Sequence, residues 1–167
     1  MRLANRFMRT IGKQARKPSG WLGEVMFSHM AAWGHRPLTR WAISFLDVQP
    51  TDHMLDVGCG GGMAIQLIAR IAIEGFVAGV DYSEEMVQQA RKRNSAAVWA
   101  GRVEIKHGNV VALPYNDESF DKVIAVETFY FWPDPVANLK EVHRILKPGG
   151  LVALAMEGST ESPDQQK

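Results

Sequence analysis

The segment L-D-V-G-C-G-G-G, residues 55–62, constrains this chain more than any other stretch. An apolar β-type run passes through an acidic residue, Asp56, and glycines then recur at alternate positions, Gly58, Gly60 and Gly62. A helix-type run, M-A-I-Q-L-I-A-R-I, begins at once. A tight glycine turn from a parallel strand into a helix is where α/β proteins bring backbone close to a nucleotide-like ligand. Glycine permits that approach because it lacks Cβ and accepts φ > 0. Alone the turn is a weak signal; the segments after it give it weight.

Those segments alternate strictly. Strands are expected at 53–57, 75–80, 102–106, 122–126 and 151–155. Helices are expected at 62–73, from an N-cap at Ser83 to residue 98, and at 135–146. Ser83 followed by Glu84, Glu85 and Met86 is a favourable helix start. Residues 108–119 read as a loop and Lys147-Pro148-Gly149-Gly150 as a turn. Alternating strands and helices imply a parallel sheet covered on both faces, with right-handed crossovers.

Three helical stretches precede this core, at 2–16, 21–33 and 37–45, with a break at Lys17-Pro18-Ser19-Gly20 and a first-turn proline at Pro37. The first is amphipathic, with Leu3, Phe7 and Ile11 at four-residue spacing. Six basic residues precede the first acid, Glu24. The expected organisation is a helical cap at 1–50, an α/β domain at 51–157 and a polar tail at 158–167.

Hydrophobic residues make up 46% and charged residues 22%, as in an ordinary globular protein. A net charge of +1 names no partner. No uncharged apolar run reaches the ~18 residues of a membrane span, and the N-terminus lacks a secretory h-region. The single cysteine, Cys59, excludes an internal disulfide, so a cytoplasmic location is expected. No Cys/His cluster has zinc spacing, so no metal is expected.

Two further features fall beside the glycine turn. Asp81 ends the second strand, where a carboxylate can accept hydrogen bonds from both hydroxyls of a ribose. Gly108-Asn109-Val110 follows the third strand, where a polar side chain and a backbone amide could read an adenine edge. All three lie beyond the carboxyl ends of neighbouring strands, where open α/β sheets bind ligands.

The blocks L-D-V-G-C-G-G-G, G-V-D-Y-S-E-E-M, G-N-V-V-A-L-P-Y, S-F-D-K-V-I-A-V-E and H-R-I-L-K-P-G-G occur in an order and spacing that resemble the class I S-adenosylmethionine-dependent methyltransferases. The resemblance covers about two thirds of the chain, from Thr51 to Glu157. It is most similar to the small-molecule branch that includes quinone-ring and sterol C-methyltransferases. It implies a Rossmann-like doubly wound sheet of order 3-2-1-4-5, S-adenosyl-L-methionine as cofactor, and in-line transfer of a methyl group to a small acceptor, with a lipophilic one among the options. The rival is an NAD-binding domain, whose fingerprint is G-x-G-x-x-G. Here the pattern is G-x-G-x-G with Asp56 ahead of it. S-adenosylmethionine has no pyrophosphate, so an acid near the turn is useful rather than repulsive.

By this resemblance Asp56 orients the methionine ammonium; its bland alternative is a strand-end carboxylate satisfied by backbone amides. Gly58 and Gly60 let the cofactor pass close to the main chain, or simply make the turn tight, while Gly62 serves helix packing. Asp81 holds the ribose, or caps the following helix. Tyr82 and Met86 pack on the adenine face, although Met86 fits the core equally well. Asn109 stands where the family commonly has Asp, and its oxygen would accept from the adenine amino group. Val110 contributes its amide. The aromatic run Phe129-Tyr130-Phe131-Trp132, behind Glu127 and Thr128, faces the methionine end and the acceptor, or packs under the N-terminal helices.

A weak acceptor needs a general base. His29, His35 and Glu127 are the candidates; Glu127 could instead pair with the cofactor ammonium. The family sheet usually has seven strands and this chain supplies five. The expectation is therefore a truncated chain or a sheet completed by another protomer at the open edge of strand 5. The competing function is a cofactor-binding module without turnover. Nucleic acid is not an expected partner, because the basic residues sit at one end. The basic first helix could instead meet an anionic membrane surface.

Overall fold

The computed structural model describes residues 36–157. The expected helices at 2–16 and 21–33, with His29, Trp33 and His35, and the tail at 158–167 lie outside those residues. The described chain runs α1 (Arg36–Phe45), β1 (His53–Val57), α2 (Met63–Ile68), β2 (Phe76–Asp81), α3 (Glu84–Arg93), α4 (Ser95–Trp99), β3 (Val103–His107), β4 (Phe120–Val126), a 3-10 turn (Phe129–Phe131), α5 (Pro135–Ile145) and β5 (Leu146–Ala155).

The five strands form one parallel sheet of order β3-β2-β1-β4-β5, as the family resemblance implied. The period-two alternation of a strand divides β1 between two cores. Met54 packs on one face with Ile65 and Ile68 of α2, Val87 and Ala90 of α3 and Ile43 of α1. Leu55 and Val57 pack on the other with Val123, Phe120, Leu113, Trp132 and, from α5, Val142 and Ile145. Both faces are covered, which is why the strands read as nearly continuous apolar runs.

Three elements differ most from expectation. The first core helix ends at Ile68 rather than residue 73; just beyond it the Arg102 guanidinium donates to the Ala69 carbonyl at 3.2 Å. The helix expected from Ser83 to residue 98 is broken at Asn94. The Asn94 amide donates to the Ala90 carbonyl at 2.9 Å and to the Gly62 carbonyl at 3.0 Å, tying α3 to the glycine turn. The expected turn at 147–150 is absorbed into β5 as an irregularity. Phe120 pairs with Leu146 and Lys122 with Leu151, so two positions on β4 span five on β5.

The long 108–119 segment carries little regular structure but is held from α5. Arg144 donates to the carbonyls of Tyr115 and Leu113 at 2.9 and 3.2 Å, and to Asp117 and Glu141 at 2.7 Å each. Glu141 in turn accepts from the Leu113 amide at 2.8 Å. This holds the segment against the sheet beside the site.

Candidate active site

The strand order reverses between β1 and its neighbours β2 and β4, and ligands of open α/β sheets bind at that switch point. The glycine turn sits there. The amides of Gly58 and Cys59 both donate to the Val80 carbonyl, at 2.8 and 3.1 Å, fastening the turn to the end of β2. Gly58 has φ 76°, and a Cβ on it would lie 2.5 Å from Cγ2 of Thr128. Thr128 is itself fixed by a 3.1 Å hydrogen bond to the Val57 carbonyl. Gly58 therefore lets the ends of β1 and β4 come together. A Cβ on Gly60 would meet nothing within 4 Å, so this residue offers bare backbone to open space. Gly62 packs closely against α3, in keeping with its expected helix-packing role.

Two carboxylates flank the turn. Asp81 accepts from the Gly60 amide (2.8 Å) through Oδ2 and from the Ser83 amide (2.9 Å) through Oδ1. It serves both the glycine turn and the start of α3, whose N-cap is Ser83. Burial pushes its ionisation up; the bonds from the Ser83 and Gly60 amides and the nearby His107 oppose that rise. Asp56 is only 2% exposed. No hydrogen bond to its carboxylate is made by any described residue. Burial, with the Asp81 charge adding to it, raises its pKa to about 8. The Cys59 thiol is likewise pushed up by burial and by Asp56 and Asp81, so it is not an activated nucleophile.

These groups open onto a cleft of about 660 Å³, well within the ~300–1,000 Å³ of small-molecule sites. All nine residues expected at the cofactor line it: Asp56, Gly58, Gly60, Asp81, Tyr82, Met86, Asn109, Val110 and Glu127. Met86 and Val110 are buried in its wall, whereas Tyr82 is 40% exposed. Phe131 and Trp132 line the cleft as well, while Tyr130 is exposed. Trp132 packs edge-on against Phe129 at 5.1 Å.

Two side chains are more engaged than their sequence suggests. Asn109 Oδ1, the atom expected to meet an adenine amino group, accepts from the Val111 amide at 2.9 Å. Its second lone pair and its amide nitrogen are what it can offer. Glu127 adopts φ 58°, unusual for a residue with a side chain. Its Oε2 accepts from the Tyr130 hydroxyl at 2.6 Å, its Oε1 from the Glu157 amide, and its own amide donates to the Ala155 carbonyl. Glu127 thus clasps the ends of β4 and β5 to the aromatic turn, a poorer arrangement for a proton acceptor. Burial and the Glu127 carboxylate keep the Tyr130 hydroxyl protonated.

Sequence reasoning missed Thr39 on α1, Met63 and Ala64 at the start of α2, and Arg93 at the end of α3, all of which line the cleft. Their positions on amphipathic helices read as ordinary core or surface. Among the described residues no histidine lines the cleft, and no group of three or more His, Cys, Asp or Glu could hold a metal ion. No described helix is long and apolar enough to cross a membrane.

The donor set suits an adenosyl group with a cationic tail. Asp56 is a buried acid with no hydrogen-bond partner among the described residues, Gly60 is open backbone, and Asp81 lies one strand away from Asp56. Met86 and Val110 supply apolar surface.

The comparisons agree. Residues 55–154 match the family model described as a methyltransferase domain. The chain is 35% identical over 130 residues to demethylmenaquinone methyltransferase of Bacillus cereus (strain B4264), covering 77% of this chain and 54% of that protein. It thus spans about half the length of that relative. It is 30% identical to the uncharacterized methyltransferase YdaC of Bacillus subtilis (strain 168), covering 86% of this chain and 78% of that one. Among solved structures it is similar to a chain from the complex between the Haloferax volcanii Trm112 methyltransferase activator and a methyltransferase. The TM-score there is 0.72 at 31% identity, over 81% of this chain and 58% of that chain. The chain belongs to the methyltransferase-domain family, with the fold of the class I S-adenosylmethionine-dependent methyltransferases.

Proposed function

We propose that this chain binds S-adenosyl-L-methionine in the β1/β2/β4 cleft and directs its methyl group to a small, lipophilic acceptor. The observation that carries the reading is the convergence of all nine residues expected at the cofactor on one cleft at the switch point of the sheet. When bound, S-adenosylmethionine supplies a methyl group activated by a sulfonium, open to in-line displacement by a nucleophile. The chain's own residues bind and orient. Asp81, already fixed by two amides, accepts from the ribose hydroxyls with its remaining lone pairs. Asp56 meets the cationic end. Gly58 and Gly60 let the ligand lie against the turn, and Met86 and Tyr82 flank the base. Asn109, through its free lone pair, and the Val110 amide read the base edge. Holding donor and acceptor in line makes transfer effectively unimolecular, with effective molarities up to ~10⁵–10⁸ M as the available scale.

The acceptor end is formed by Val126, Phe131, Trp132 and Pro133, an apolar and aromatic wall. This wall, and the similarity to a demethylmenaquinone methyltransferase, supports a quinol-like or phenolic acceptor. Leu151 and Val152, 48% and 43% exposed on the edge strand β5, offer a surface for a second copy or another protein. The likeness to a chain solved with an activator protein supports a protein partner.

One observation favours the binding-module alternative. Of the three bases expected from the sequence, Glu127 is the one among the described residues; it lines the cleft, and both its oxygens are engaged. Methyl-labelled S-adenosylmethionine offered with a panel of quinols, phenols and sterols separates the two. Label is expected in a quinol or phenol over many turnovers. Cofactor binding with no label in any acceptor would favour the module.

A further inference from the structure

Asp56 is held in an unusual way for an acid at a ligand site. Its carboxylate is almost wholly buried, faces the cleft, and has no hydrogen bond from any described residue. Its strand neighbour across β2 is Gly79, which brings no side chain; the nearest like charge is Asp81, two residues further on. The apolar face it shares is formed by Ala64 and Ile65 of α2, Met54 of β1 and Ile124 of β4. The other titratable or charged groups around the cleft are Cys59 on the turn, Arg93 at the end of α3 and Glu127 after β4, with His107 beside Asp81. None of these cations makes an ion pair with Asp56 among the described residues. An isolated charge in such a place is costly, and the group neutralises instead.

We infer that Asp56 is a proton-exchange residue: its carboxyl is neutral in the ligand-free protein at pH 7 and releases its proton when the cationic end of S-adenosylmethionine enters. The inference rests on the cofactor reading above. The arriving cation supplies the countercharge that the described residues leave out, and the O–H proton passes to solvent while the carboxylate pairs with the ligand. Burial and Asp81 together set a pKa of about 8 without ligand; a cation alongside lowers it. Binding then tightens as pH rises toward 8, about tenfold per pH unit where the free protein holds the proton and the complex does not. Below pH 7 the ligand's own ammonium is protonated throughout, so the exchange is isolated there.

The same proton acts on stability. The folded chain keeps it from about pH 4 to about pH 8, whereas an unfolded chain has released it above its ordinary carboxyl range. Stability of the ligand-free protein therefore falls as pH rises through that window. Asparagine at this position, always neutral, removes that fall.

The test is calorimetric titration of the full chain with S-adenosylmethionine at pH 6.5, in buffers of differing ionisation enthalpy, for the wild type and Asp56→Asn. The expected result is release of close to one proton by the wild type and close to none by the variant, which binds more weakly at pH 8. Melting temperatures without ligand give a second readout: the variant's advantage should grow from pH 5 to pH 8. Normal wild-type binding with no proton released would overturn the inference, and so would equal release by both proteins. Absence of any wild-type binding would instead overturn the cofactor reading.

Discussion

Asp81→Ala is expected to weaken S-adenosylmethionine binding by about 1.5–3 kcal/mol, the worth of hydrogen bonds to a charged group, or roughly 10- to 150-fold. Both Asp81 oxygens already accept from amides, Gly60 on one side and Ser83 on the other. Each keeps a lone pair directed away from those amides, so the carboxylate arrives at the ligand already oriented. Alanine removes the ligand contact and also leaves the Gly60 and Ser83 amides without their acceptor. Asp81→Asn separates the two effects. Its oxygen can still accept from one amide, but it has lost the charge and one acceptor. The expected order of affinity is wild type, then asparagine, then alanine, measured by calorimetry with melting temperature as a control for folding. Equal affinity in all three would remove Asp81 from the ribose.

Gly62→Ala is expected to cost about 2–5 kcal/mol of stability, combining a left-handed backbone penalty with overpacking. Gly62 has φ 75°, and a Cβ there would sit 2.9 Å from the backbone Cα of Ala90 and 2.6 Å from the Asn94 amide nitrogen. Backbone cannot step aside as a flexible side-chain end can. Asn94 is pinned to the Gly62 carbonyl, so the collision also breaks the tie between α3 and the turn. Gly60→Ala is the matched control. It has φ 50° but open space around the new methyl, so about 1–2 kcal/mol from the backbone alone is expected. Denaturant unfolding of the three proteins checks the order. A Gly60 variant as unstable as the Gly62 variant would contradict the packing account.

The contrast between these glycines shows where sequence reasoning reaches and where it stops. The turn, its acid and the alternation of elements are written locally, in residues that follow one another. The sheet order came with the family resemblance rather than from spacing. What the chain does not display locally is which distant group meets each side chain. The break at Asn94 depends on the Gly62 carbonyl, 32 positions away. The engagement of Glu127 depends on the Glu157 amide, 30 positions away, as well as on Tyr130 close by. The anchoring of the 108–119 segment depends on Arg144, which reads in sequence as an ordinary surface charge on a helix. Asn109 is the local exception: its Oδ1 bonds to Val111, two residues on, a habit of asparagine in turns.

The central claim is that the glycine turn, Asp56 and Asp81 form a site for an adenosyl sulfonium and not for a dinucleotide. Side-by-side calorimetric titration with S-adenosylmethionine and with NAD tests it most directly. Saturable one-to-one binding of S-adenosylmethionine, with no heat from NAD over the same range, is the predicted result. Binding of NAD in preference, or silence from S-adenosylmethionine at millimolar concentration, would contradict it.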